Sequence, residues 1–556
     1  MEVVLSTTYP ERLVTFFAGR PAVAPSGPTP SRTYAAGSPE RASIAAALAE
    51  VRGAGYDIAS RVGSDEIRTG RTAPVVTPHE HSVRLGQVHY ASAPVVEDAI
   101  AAASEAARSW ARLPLAMRAE PFLRAADMLE FGPWRDRLNA AAMLELSKTS
   151  YEADIDASSE TVDFIRANVN NMLEMYDVQP GGSPGVTNHV QYRPLEGFVF
   201  AVTPFNFVSM NNLAFGPALL GNTVVWKPAE SASLVAHLSL QLLREAGLPD
   251  GVINLVFGDG AEVGTVALTH RDLAAVAFTG STATFQYIWR TVGENVATYR
   301  NYPRVIGETG GKDFVLAHRS ADLDALATAL IRGAYEYQGQ KCSAASRLYA
   351  PRSLWRALKD RLIELTRSAM VGDPTLPENY LGAVINARQH AKHADVLAQA
   401  RAEGLVVVGG TTDASVGWFV DPTLLEVSDP CSRFMTQELF APVLTAYVYD
   451  DADWTKTLRL VDESTAYGLT GAVFAGDEYA IAEADEALGY AAGNFYINDK
   501  PTSAAIGQQP FGGARASGTN DKAGTVWNLI RFASPRSVKR NHRPPRDYRY
   551  PYQESD

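Results

Sequence analysis

The chain has 556 residues, 46% of them hydrophobic and 20% charged, with 50 Lys and Arg against 62 Asp and Glu for a net charge of −12. This length exceeds one ordinary domain and predicts two or three, and the acidic balance argues against nucleic acid as the main partner. Two cysteines cannot build a disulfide framework, and no apolar run reaches the roughly twenty residues that span a bilayer, so a reducing compartment such as the cytoplasm is expected.

The N-terminus has no compact apolar core followed by a small-residue cleavage site, which argues against secretion. It carries Arg12, Arg20 and Arg32 among Ser and Thr with few acids, a pattern compatible with an organellar transit segment, and the mitochondrial matrix is the alternative location. Residues 21–45, rich in Pro, Ala, Ser and Gly, read as an extended arm. Helical periodicity begins at Val95 in VVEDAIAAASEAARSWARL and continues around 115–131, 137–148 and 155–175, until Gly181-Gly182-Ser183-Pro184-Gly185 breaks it.

From Phe198 short apolar runs (FVFAV at 198–202, TVVW at 223–226, VINLV at 252–256, AVAFT at 275–279) alternate with helical stretches. That alternation predicts βαβ units and a parallel sheet. No G-x-G-x-x-G follows any of these strands; instead Phe278-Thr279-Gly280-Ser281-Thr282 joins the fourth to a helix, where free N–H groups could meet a pyrophosphate. A second α/β region follows, with helices near 353–369 and 386–402 and strands near 404–408 and 443–448.

Two patterns are decoys. His79, His81 and His89 lie in a strand-like segment with no cysteine or clustered carboxylates to complete a metal site, so no metal is expected. Gly307 to Lys312 resembles a P-loop, but Asp313 stands where the magnesium-binding Ser or Thr belongs. Cys431 reads as a bystander, and the basic, aromatic run SVKRNHRPPRDYRYPY as a solvated or subunit-clasping tail.

Chemistry concentrates at Cys342, in the polar segment Gln338-Gly339-Gln340-Lys341-Cys342-Ser343. A thiol beside Lys341 is expected to gain thiolate character, and Glu308, flanked by glycines in GETGGK, supplies a carboxylate base.

Taken together, Asn206 in TPFNF, Lys227 in WKPAE, FTGS at 278–281, Glu308 in GETGGK, Cys342 in GQKCSA, and Glu438 and Phe440 in QELFAP resemble the aldehyde dehydrogenase superfamily. GSPER, IRTGRTAPVVTPHEHS, GNFYIND and IGQQPFGGARASGTNDKAG narrow the resemblance to the 1-pyrroline-5-carboxylate (glutamate-γ-semialdehyde) dehydrogenases over residues 37 to 552. The resemblance implies two Rossmann-like parallel-sheet domains: NAD-binding over 37–185 and 195–314, catalytic over 315–510. It also implies an oligomerisation flap and tail at 186–194 and 511–556, leaving 1–36 as an N-terminal arm. Val186 to Arg193 is expected to be a β-hairpin arm that joins strands near 531–540 and forms a homodimer or higher homo-oligomer.

The same resemblance implies the site. Cys342 attacks the aldehyde, Asn206 and the Cys342 N–H hold the oxyanion, and Glu308 activates water to release the acid. NAD would rest against Thr203, Pro204, Phe205, Lys227, Glu230, Gly258, Phe278, Thr279, Gly280, Ser281, Glu438 and Phe440, and Glu230 would disfavour NADP by repelling a 2′-phosphate. For the substrate, Glu160 would take the ammonium, Ser343 and the loop at Ser503-Ala504 the carboxylate, and Phe207 and Phe511 the aliphatic stem. The family's usual Gly-Ser at that loop is Ser503-Ala504 here, which removes glycine's freedom at positive φ and moves a hydroxyl. Proline dehydrogenase, as the enzyme handing over the intermediate, is the transient partner. Two other readings stay open: a different NAD-dependent aldehyde dehydrogenase, and a cysteine acyltransferase or thioesterase, which would have no use for Lys227 or Glu438.

Overall fold

The structure, a computed structural model, describes residues 28–553 together with the backbone of three short strands, Val4–Ser6, Leu13–Thr15 and Arg20–Pro21. Of the residues behind the transit-segment reading, Arg12 and Arg20 lie outside those whose side chains are described, while Arg32 is described and pairs with Asp136.

The fold is α/β and is built on two seven-stranded sheets. The first runs, in spatial order, Arg304–Glu308, Leu273–Thr279, Phe198–Thr203, Thr223–Pro228 and Ile253–Leu255, all parallel, then the antiparallel pair Ser60–Val62 and Asp65–Ile67. Thr223–Pro228 and Leu273–Thr279 are buried along their whole length because helices cover both faces, which is why they read as unbroken apolar runs. The second sheet runs Val406–Val408, Thr423–Val427, Val443–Tyr449, Ala345–Pro351, Asp313–Ala317, Thr470–Phe474 and Asn494–Ile497, parallel except at the first strand. Separate apolar cores line each sheet. The chain crosses between them at Thr309-Gly310-Gly311-Lys312, so the P-loop lookalike is a strand-to-strand crossing with no helix after it.

Two expectations are corrected. Residues 21–45 are not extended throughout: a helix spans Pro39–Gly53, with the Ser38 side chain accepting from Arg41 N and proline in its first turn. Proline there needs no N–H partner and presets φ, so the residue that read as a breaker is a start signal. Val186–Pro194 is not a hairpin in itself. It is one strand, zipped antiparallel to Ala533–Asn541 from Pro194↔Ala533 to Val186↔Asn541. No turn interrupts Val186–Pro194, so its partner had to come from elsewhere in the chain.

Candidate active site

A cavity of about 1700 Å³ opens between the two sheets. In the first sheet the parallel order reverses between Phe198–Thr203 and Leu273–Thr279, and the crevice beyond the carboxyl ends of such strands is where α/β folds bind ligands. Thr203-Pro204-Phe205-Asn206 and Thr279-Gly280-Ser281 flank that crevice and line the cavity. Every residue singled out from the sequence lines it except Gly258. A Cβ there would meet Val263 Cγ2 at 3.2 Å, so the glycine lets the chain pack closely against the helix Gly260–Thr269.

One lobe fits a dinucleotide. The helix Thr282–Glu294 begins at the cavity with Ser281 as its cap, and its first N–H groups have no helical partner. The Thr279 hydroxyl is buried without a hydrogen bond. Lys227 lies at the rim with burial pushing its pKa down and Glu230 and Asp259 pulling it back up. Asp259 caps the helix Gly260–Thr269 through Ala261 N at 2.9 Å and Glu262 N at 3.0 Å. Glu438 accepts from Gly311 N at 3.0 Å, and Gly310 is so near that a Cβ would fall 2.3 Å from Glu438 Oε2. Phe440, at φ +59°, meets Phe205 edge-on at 6.0 Å.

Cys342 follows three consecutive left-handed residues, Tyr337 (φ 52°), Gln338 (φ 56°) and Gly339 (φ 63°). Conformations of that kind cost on the order of 1–3 kcal/mol each for non-glycine residues and persist only where neighbours over-determine them. Here Tyr337 N donates to Glu152 Oε1 at 2.6 Å, and Gln338 Nε2 donates to Ser147 O at 3.0 Å and Ala383 O at 2.7 Å. Gly339 admits no Cβ, which would lie 2.2 Å from Ala441 O. The loop thus fixes Cys342 at the cavity wall, partly open to it.

Lys341 does not prepare the thiol as expected. Its Nζ pairs with Glu336 Oε2 at 3.0 Å, and the thiol pKa is pushed up, first by burial and then by the charges of Asp313, Glu308 and Glu438. Adjacent side chains point apart, so sequence proximity gave Lys341 no hold on the sulfur. Glu308 has its pKa raised well above the usual carboxylate value by burial, against the pull of Gly513 N–H at 3.1 Å and the charge of Lys522.

Asn206 is buried; Lys148 Nζ holds its main-chain carbonyl at 2.8 Å, and its side-chain amide is bonded to no other described residue. Glu160 accepts from Ser209 Oγ at 3.0 Å, its pKa pushed up to about 8 by burial and by nearby Asp156. Phe207, Ser343, Ser503, Ala504 and Phe511 complete this lobe. Neither Ser503 nor Ala504 sits at positive φ, so the loss of glycine there brings no backbone strain. His79 and His89 are buried in structural contacts, His79 with Ser147 Oγ at 3.1 Å and His89 with Asp57 at 3.0 Å, while His81 is half-buried, stacks on Trp418 and bonds Ala414 O at 3.1 Å.

The profile of the aldehyde dehydrogenase family matches residues 66–538. The chain belongs to that family. Among aldehyde dehydrogenases, it is 45% identical over 527 residues to the mitochondrial delta-1-pyrroline-5-carboxylate dehydrogenase of Bos taurus, covering 94% of this chain and 93% of the relative. The corresponding Homo sapiens enzyme is 44% identical over 94% of this chain and 93% of its own length. A crystal structure of the Mycobacterium tuberculosis delta-pyrroline-5-carboxylate dehydrogenase bound with NAD superposes with a TM-score of 0.92 at 47% identity, covering 96% of this chain and 99% of that one.

Several residues of this aldehyde dehydrogenase's site escaped the sequence reading. Lys148 and Asp156 form a buried ion pair at 3.2 Å beneath Asn206, and Asp259 adds a second acid beside Lys227. The signal available was the cluster of charges in ELSKTSYEADIDASSE, one lysine among five acids, since ionised groups are rarely buried unless paired.

Proposed function

We propose that the protein oxidises L-glutamate γ-semialdehyde, the open form of 1-pyrroline-5-carboxylate, to L-glutamate with NAD. The observation that carries this reading is the convergence in one cavity of Cys342, Glu308 and Asn206 with Glu160 at one end and the Thr279–Ser281 helix start at the other.

Cys342 gives up its thiol proton to solvent water, and its Sγ then attacks the aldehyde carbon to form a thiohemiacetal oxyanion, which the Asn206 amide and Cys342 N–H stabilise. Lys227, Glu230, Glu438, Phe440 and the Ser281 turn hold NAD, which when bound supplies the hydride acceptor. Loss of hydride leaves a thioester on Cys342. Glu308, with a proton affinity lifted by burial, takes a proton from water as that water attacks the thioester. Glu160 meets the substrate ammonium, Ser343 and the Ser503-Ala504 N–H groups its carboxylate, and Phe207 and Phe511 its methylenes, at roughly 0.8 kcal/mol per buried CH₂.

The change of sheet between Glu308 and Asp313 supports a boundary near residue 314 between a dinucleotide unit and a catalytic unit. The open-edged ribbon of Val186–Pro194 and Ala533–Asn541 suits pairing with a second copy. Among the described residues no helix is long and apolar enough to cross a membrane. We place the protein in the cytoplasm, with the mitochondrial matrix as the alternative; the bovine and human relatives are named as mitochondrial. Proline dehydrogenase is the transient partner of this reading. The test is NADH formation with glutamate semialdehyde against propanal for wild type and Cys342→Ala. Activity with the first and none in the variant is expected; thioester hydrolysis without NAD would instead support an acyltransferase or thioesterase.

A further inference from the structure

The stretch that carries Glu160 is not an ordinary helix. Asp154–Glu160 forms a π-helical segment between the short helix Ser150–Ala153 and the helix Thr161–Asp177. Segments of this kind hold an extra residue per turn and revert to α-helix unless something opposes it. Asp154 and Asp156 are two positions apart with only Ile155 between them, so they point to opposite sides, while Asp156 and Glu160, about one turn apart, share the inner side.

On the inner side Asp156 accepts from Val208 N at 3.0 Å and Ser209 N at 3.1 Å, and Glu160 from Ser209 Oγ at 3.0 Å. On the outer side Asp154 is wholly buried and takes five hydrogen bonds. Three come from Arg135 (2.8 and 2.7 Å) and Asn139 (2.9 Å) of the helix Trp134–Leu146. The other two come from an N-terminal strap: Arg32 N at 2.8 Å and Tyr34 OH at 2.8 Å. The strap makes a second attachment just past Glu160, where Thr29 donates its N–H at 2.9 Å and its hydroxyl at 2.6 Å to Asp163. Residues 29–34 therefore grip the segment on both sides of Glu160, through carboxylates that touch neither cavity nor cofactor lobe.

We propose that this strap is a positioning element for substrate recognition: Thr29 and Tyr34, acting through Asp163 and Asp154, hold the π-segment in the register that presents Glu160 to the substrate ammonium. The inference rests on the reading of Glu160 given above. Releasing the strap lets the segment tighten toward α-helix and rotates Glu160 away from Ser209, whereas Cys342, Glu308 and Asn206, carried on other elements, stay in place.

The test compares KM and kcat for glutamate semialdehyde and for propanal in wild type, Tyr34→Phe, Thr29→Val/Tyr34→Phe, Glu160→Ala and Tyr34→Phe/Glu160→Ala. Removing one hydrogen bond to a buried carboxylate is expected to raise KM for glutamate semialdehyde roughly fivefold in Tyr34→Phe, with kcat and all propanal parameters within about twofold of wild type. On the Glu160→Ala background Tyr34→Phe is expected to add nothing, because both act on one contact. Equal losses with both aldehydes, an unchanged KM, or additive losses in the double variant would overturn the proposal while leaving Glu160 in its role. A Glu160→Ala enzyme that still discriminates between the aldehydes overturns the ammonium contact and the strap's role with it. Should Thr29→Val/Tyr34→Phe fail to fold, the near-isosteric Tyr34→Phe decides the matter alone.

Discussion

Lys148 Nζ donates to the main-chain carbonyl of Asn206 at 2.8 Å while lying 3.2 Å from Asp156, and it stands 3.6 Å from the centre of the Tyr337 ring. One buried ammonium thus touches the oxyanion residue, the acid that anchors Val208 and Ser209, and the strained loop leading to Cys342. Lys148→Met is expected to lower kcat by about tenfold to a hundredfold, as for loss of an oxyanion donor, with a smaller change in KM. It also leaves Asp156 buried with only two N–H partners, a change expected to destabilise the fold by about 3 kcal/mol, read from thermal or denaturant unfolding.

The thiol's surroundings set its reactivity before ligands arrive. Burial and three carboxylates favour the neutral thiol, so alkylation by iodoacetamide in the absence of NAD and aldehyde is expected to be slow at neutral pH and to keep rising well into the alkaline range. Removing a negative charge lowers the thiol pKa, so Glu438→Gln is expected to speed alkylation at fixed pH by about threefold. Lys341→Met, whose charge is already committed to Glu336, is expected to leave the rate within about twofold.

Glu160 gives the substrate preference a pH dependence of known sign. Its pKa lies near 8, above the usual 4.5, so the proton is retained to higher pH and the charge that meets an ammonium appears only as pH rises through about 8. The ratio of kcat/KM for glutamate semialdehyde to that for propanal, expressed on free aldehyde, is therefore expected to climb from pH 6.5 to a plateau above about 8.5. Glu160→Gln should flatten that ratio. Changes common to both aldehydes belong to Cys342 and Glu308 and cancel in it.

The sequence made some of this legible and hid the rest for definable reasons. Phe198–Thr203, Thr223–Pro228 and Leu273–Thr279 were readable because strands buried on both faces carry near-continuous apolar runs. Arg304–Glu308 and Asp313–Ala317 were not, because glycines and charges occupy the crossing where the chain changes sheets. Cys342, Glu308 and Asn206 stood out by motif, yet Asp313 and Glu438, which govern the thiol, are remote from it in sequence. The π-segment has no local signature at all. Its Asp154 is held by Tyr34, Asn139 and Arg135, and Asp163 just beyond it by Thr29, contacts that a helical periodicity cannot register.

Cofactor choice depends on a second acid as well as the one that was foreseen. Glu230 is exposed at the rim, while Asp259 sits on the N-terminus of the helix Gly260–Thr269 and occupies the N–H groups of Ala261 and Glu262. Those N–H groups are ones a 2′-phosphate would seek, so Asp259 is expected to disfavour NADP both by charge and by taking its donors. Glu230→Ala alone is expected to improve kcat/KM with NADP only about threefold, since one exposed charge contributes little. Glu230→Ala/Asp259→Gly, which frees the helix end while glycine still caps it adequately, is expected to improve it by about thirtyfold or more. Steady-state rates with both dinucleotides at saturating aldehyde make the comparison, and equal gains in the single and double variants would remove Asp259 from the discrimination.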